Sequence, residues 1–338
     1  MFLMTNSFCI NKKSFLPIAI FLLIIFFSAI YKINSKNLTY KTQASSPKIY
    51  GGQPADPGEW PFTVALYDKR IYNKNFLDRN SNTYKIGTLK DAQFCTGLLI
   101  NNRYVLTAAH CLYEQIADPT EFAIYKKRVV KDFGVAVGFH DINTREIITS
   151  RDLKQALVEA KNYLIYEGYN YGFKYRDSIP FVEFNKMTDT QQNNDLAYIK
   201  IDPLDKSLSF ETISLTKDQR LITPGSYAQL VGWGSETGLP DVLYEGINKI
   251  YSNTYQEDNR ITHRLILFET AMPLSGDSGG PLLGYSNGKW YVVGLAAQVD
   301  QSISQSYYTN LVELYPWVNL VTNVKENQGS FIGKPPEW

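Results

Sequence analysis

LSGDSGGPLL, residues 274–283, sets a serine among glycines, whose missing side chains let the backbone turn tightly and expose the Ser278 hydroxyl. A serine hydroxyl is a weak nucleophile at neutral pH, so amide hydrolysis needs a base beside it and a third group to orient that base. The same stretch fits G-x-S-x-G, the strained elbow of α/β-hydrolases, which would imply a lipase or esterase. Those enzymes need their histidine after the serine, and the three histidines here, His110, His140 and His263, all precede Ser278. The elbow reading therefore fails on order. An upstream histidine is required, and His110 in YVLTAAHCLY, residues 104–113, is best placed, at the end of an apolar run beside Cys111.

Outward from these segments the chain consists of short runs rich in Val, Ile, Leu, Tyr and Thr between Gly, Asn, Asp and Pro: FTVAL, CTGLLI, VAVGF, LAYIKI, YAQLVGW, WYVVGLAA. Many short strands of this kind predict an all-β barrel or sandwich. No internal sequence repeat is visible. Two polar stretches, residues 69–91 and 171–192, read as surface loops. Around the second lie Tyr163, Tyr166, Tyr169, Tyr171, Phe173, Tyr175, Phe181 and Phe184, which fit packing beneath a loop better than the rim of a cleft. Leu153, Leu157, Ala160 and Leu164 have helical spacing in a region that strand readings would also claim, and the two stay open. YPWVNLVTNV, residues 315–324, has a helical face and predicts a C-terminal helix followed by a polar tail.

With 338 residues, 14 % aromatics and a formal charge of +1, the chain can form one large domain or two modest ones. Its scattered Lys and Arg lack the concentrated basic face that a nucleic-acid partner would need. The uncharged run over residues 14–31 follows Lys12 and Lys13 and reads as an export signal, although its 18 residues also reach the length of a membrane anchor. Residues 1–35 are thus a signal peptide or signal anchor, and the polar residues 36–48 a linker or pro-segment. Cys9 precedes the run, which leaves Cys95 and Cys111, the number for one bridge. Such a bridge would contribute about 3 kcal/mol and persists in an oxidising compartment, in agreement with export. His140 and His263 have no partner at metal-ligand spacing, and neither a metal nor a cofactor is expected.

The order His110, Asp195, Ser278, in the contexts TAAHC, NNDLAYIKI and GDSGGP, resembles the trypsin/chymotrypsin family of serine endopeptidases. IYGGQPADPGEWPFTVAL from Ile49, VGFHDI around Gly138, LVGWGS from Leu230 and YPWV support the likeness, which covers most of residues 49–338. It implies an all-β, chymotrypsin-like fold: two packed six-stranded antiparallel barrels with a C-terminal helix. The protease domain would be residues 49–322, followed by a tail over 323–338, and the chain would be a monomer acting on protein or peptide substrates. By the same resemblance His110 is the general base and Asp195 holds its imidazole. Asp189 and Asp202 compete with Asp195, but only Asp195 stands directly before an apolar strand after Asn-Asn. The backbone N–H groups of Gly276 and Ser278 would form an oxyanion hole.

The resemblance also implies that cleavage after Lys48 would free Ile49 to pair with Asp277, so that the chain would be a zymogen. Met272 stands where the family places the base of its specificity pocket, with Val299 and Ser306 as further pocket residues. Ala297, Gln298 and Val299 replace the usual substrate-binding edge, and Leu274 replaces a cysteine. Small or medium aliphatic side chains are therefore expected before the cut. A pocket without an acid would not process Lys48 itself, so a second, activating protease is implied. The rival reading is a catalytically silent, secreted relative that serves as a binding module.

Overall fold

The computed structural model describes residues 49–336 except 79–82, 117–123, 144–155, 167–168, 170–177, 181–193, 209, 235–240, 258–259, 263 and 269. The export segment, Lys48, Leu153, Asp189, His263, Tyr171, Phe173, Tyr175, Phe181 and Phe184 lie outside the described residues.

Six strands close the first barrel: β1 (Thr63–Asp68), β2 (Gln93–Leu99), β3 (Tyr104–Thr107), β4 (Phe133–Val137), β5 (Ala156–Ile165) and β6 (Ala197–Ile201). Their antiparallel ring runs β1-β4-β5-β6-β3-β2. The second barrel uses β7 (Tyr227–Gly232), β8 (Tyr244–Ser252), β9 (Arg264–Phe268), β10 (Pro281–Ser286), β11 (Lys289–Asp300) and β12 (Gln305–Asn310). Its ring is β7-β10-β11-β12-β9-β8, closed by the pairing of β8 with β9. The two rings thus have the same cyclic order, a repeat of topology with no counterpart in the sequence. This is the two-barrel, chymotrypsin-like architecture that the resemblance implied.

Alternation explains the strands. In β8 Tyr244, Gly246, Asn248 and Ile250 are buried while Ile247, Lys249 and Tyr251 face outward, the period of a sheet with one covered face. Strand β1 is buried on both faces, and Val64, Leu66, Leu98 and Leu106 are wholly inaccessible. Truncating such a leucine to Ala costs about 2–5 kcal/mol. The helical spacing of Leu157, Ala160 and Leu164 does not mark one buried face, for in strand β5 Ala160 is buried while Leu164 is exposed. Strand β5 carries a bulge between Ala160 and Asn162, and the extra residue puts the buried Ala160 and Ile165 an odd number of positions apart.

The described residues of 69–91 form more than a plain loop. They fold into a hairpin of Asn75–Asp78 with Thr83–Ile86 and lead into a helical turn, Leu89–Ala92, closed by a Thr88/Asp91 capping box. Tyr163, Tyr166 and Tyr169 pack on Phe133, Trp317 and Tyr113. The C-terminal helix, Leu311–Thr322, starts at Asn310, whose side chain accepts from the Val312 and Glu313 N–H groups. It ends at Asn323 in the left-handed conformation. The segment after it returns to the body: Val324 and Phe331 are buried, and the Trp290 indole donates to the Lys334 carbonyl at 2.8 Å. No helix among the described residues is long and apolar enough to cross a membrane.

Candidate active site

His110 lies in a 3-10 turn, Ala109–Leu112, directly after β3, and Asp195 stands just before β6, the strand paired with β3. That pairing brings them together. Asp195 Oδ2 lies 2.6 Å from His110 Nδ1, and Oδ1 accepts the His110 backbone N–H at 2.8 Å. The carboxylate is buried, and Thr309 of β12 donates its hydroxyl to the Asp195 carbonyl at 3.0 Å, tying the second barrel to the acid. Burial pushes the imidazole pKa down, but the charge of Asp195 and its hydrogen bond outweigh this, so the ring is held above its ordinary value. Asp202, the other described rival, is exposed and paired with Lys161 at 3.0 Å, so it does not approach His110.

Ser278 sits in the turn before β10. The Thr96 N–H of the first barrel donates to the Ser278 carbonyl at 2.9 Å. Gly279 makes this junction feasible: it has φ +77, and a Cβ there would meet Thr107 Oγ1 at 2.2 Å and the Thr96 carbonyl at 2.5 Å. Cys95 of β2 is bridged to Cys111, and Cys111 Sγ lies 3.8 Å from His110 Nε2 and 3.6 Å from the Ser278 carbonyl oxygen. The base and the serine turn therefore flank one sulfur. Ser278 is partly exposed and its Oγ makes no protein hydrogen bond among the described residues, so the hydroxyl can rotate.

Gly276 has φ +98. Its carbonyl accepts from Gln93 Nε2 at 3.0 Å and from Thr96 Oγ1 at 2.8 Å, contacts that fix the turn's orientation. Among the described residues neither the Gly276 nor the Ser278 N–H donates to a protein acceptor, which leaves two adjacent donors for an external oxygen. Sequence reading missed Gln93, Thr96 and Thr309, because their contacts join positions more than a hundred residues apart.

A cavity of about 190 Å³ opens at Ser278, lined by Leu274, Ala297, Gln298, Val299 and Gln301 among others, with no carboxylate or ammonium group among the described residues of its wall. Val299 lines it, whereas Met272 and Ser306 are buried and do not. Behind the wall the buried Arg264 donates to Gln298 Oε1 at 3.3 Å. Ile49 is 1 % exposed within the second barrel's core, and Tyr50 exchanges backbone hydrogen bonds of 3.0 Å with Met272. Asp277, also buried, accepts from the Gly234 N–H at 2.5 Å and the Leu274 N–H at 2.8 Å. Among the described residues the Nδ1 of His140 is buried without a hydrogen-bond partner, and burial pushes its pKa down.

Residues 49–318 match the Trypsin family model. Serine protease 28 of Mus musculus is 27 % identical over 293 residues, covering 80 % of this chain and 88 % of that protein. Transmembrane protease serine 11C of Mus musculus is 24 % identical over 294 residues, 82 % of this chain and 54 % of that protein. Since the match takes in both barrels and the histidine, aspartate and serine turns they support, the chain belongs to the trypsin family of serine proteases.

Proposed function

We propose that the protein is a secreted serine endopeptidase whose nucleophile is Ser278. The observation that carries this reading is the Asp195–His110 pair beside a partly exposed serine in a turn with two undonated N–H groups. In this reading His110 Nε2 removes the Ser278 proton as Oγ attacks the scissile carbonyl. The tetrahedral oxyanion is then held by the Gly276 and Ser278 N–H groups, each worth about 3 kcal/mol. His110 next protonates the leaving amine, giving an acyl-enzyme, and activates the water that hydrolyses it. Asp195 keeps Nδ1 protonated and stabilises the imidazolium.

The same reading makes the chain a zymogen cut at Lys48-Ile49 by a second protease. It is supported by the burial of Ile49 and Asp277 and by the absence of a carboxylate from the described residues of the cavity wall at Ser278. Arg264 behind Gln298 adds an obstacle to basic side chains and favours neutral ones. Export fits the Cys95–Cys111 bridge. The test is treatment of the activated protein with a fluorophosphonate and mapping of the adduct. Labelling at Ser278 is expected, and an unreactive protein with Ile49 at its N-terminus would favour the silent binding module.

A further inference from the structure

A second cavity, of about 270 Å³, shares no lining residue with the cavity at Ser278. Strand alternation builds it. Ala228 and Leu230 of β7 point into the second barrel's core, so Gln229 between them faces outward, beside Ile247 and Glu245 of β8. The returning C-terminal segment, with Phe331 and Lys334, forms another part of the wall. Gln229 is only 5 % exposed, and its side-chain amide makes no hydrogen bond among the described residues. The amide lines the cavity and reaches solvent only through it, so its donors and acceptor are available to a polar group that enters.

The charges in the wall say which kind. Glu245 Oε1 accepts from Gln53 at 3.0 Å and Oε2 from the Trp60 indole at 2.8 Å. Glu59 Oε2 accepts from the Asp56 N–H at 2.8 Å. Burial pushes the Glu59 carboxyl up, the Asp56 N–H offsets part of this, and the charges of Glu245 and Asp56 push it further up. Against these three carboxylates stands Lys334 at the exposed rim, 3.7 Å from Asp56. Trp60 and Trp290, edge to face at 5.3 Å, supply aromatic surface that attracts a cation.

We propose that this cavity is a recognition site for an arginine side chain presented by a polypeptide, remote from the bond that is cut. A guanidinium matches the wall: its planar fork can donate to Glu59, Glu245 and the Gln229 carbonyl while its face lies on indole. The volume suits one long side chain and is below that of a drug-sized ligand. The site holds a bound chain by one residue and leaves the cleft at Ser278 unobstructed.

The test titrates the activated protein, after fluorophosphonate treatment, with N-acetylarginine amide and with its neutral isostere N-acetylcitrulline amide, following calorimetry and tryptophan fluorescence. The arginine compound is expected to bind about tenfold more tightly than the citrulline one. Glu59→Gln and Gln229→Leu should each weaken it about tenfold, while untreated Glu59→Gln protein hydrolyses a short peptide at the parent rate. Equal affinity for the two compounds, no binding at the highest soluble concentration, or affinity unchanged in both variants would overturn the proposal. If either variant fails to fold, the comparison of the two compounds on the unaltered chain decides the matter.

Discussion

Asp195 holds His110 at two points, the ring through Oδ2 to Nδ1 at 2.6 Å and the backbone through Oδ1 at 2.8 Å. One carboxylate therefore fixes both the tautomer of the base and the position of the turn that carries it. The charged imidazole gains from this pairing more than it loses by burial.

The pH dependence follows. His110 must be neutral to take a proton, so kcat/KM should rise with pH through a midpoint above the ordinary imidazole value of 6.5. Stability has the opposite sign: the pairing energy of charged His110 is fully present below the unfolded-state pKa and is lost as pH rises through the raised folded value. Asp195→Asn should lower kcat about ten-thousand-fold and move the rising limb to lower pH, since only burial would then act on the ring. A pH–rate profile of the two proteins checks both.

Gln93→Leu removes one of the two side-chain donors that hold the Gly276 carbonyl. Because that carbonyl lies in the turn between the Gly276 and Ser278 N–H groups proposed to hold the oxyanion, loosening it should displace those donors, and kcat should fall about fivefold with KM little changed. A matching rise in KM at constant kcat would show that Gln93 serves substrate binding instead.

TAAHC, NNDLAYIKI and GDSGGP drew attention because each carries a side chain and the turn that presents it, and the structure brings two of those side chains, His110 and Asp195, into contact. Gln93 and Thr309 did not, since nothing beside either residue announces a partner on the other barrel. Strand β5 was ambiguous for a different reason: its apolar residues include the exposed Leu164, and a bulge breaks the alternation between the buried Ala160 and Ile165. The matching strand order of the two barrels lies in the pairing pattern, which dissimilar side chains can satisfy equally well. Met272 and Ser306 were placed in the pocket by position alone, and their burial keeps them out of the cavity wall.

Replacing Cys95 and Cys111 together by serine should cost about 3 kcal/mol, read as a lower urea midpoint. Activity should fall as well, because Cys111 Sγ is wedged between His110 Nε2 and the Ser278 turn.

A peptide library should show cleavage after small or medium neutral side chains, given the uncharged wall of Leu274, Ala297, Gln298 and Val299. Val299→Gly is expected to admit larger residues, since it removes a side chain from that wall. Strong cleavage after Arg or Lys would contradict the assignment of this cavity as the specificity pocket.

Whether the Ser278 hydroxyl is the attacking group is tested most directly by the kcat of activated Ser278→Ala against a peptide substrate. A loss of about a million-fold in a protein of unchanged folding is expected. Proteolysis at the parent rate would show that the nucleophile, and with it the proton exchange assigned to His110, lies elsewhere.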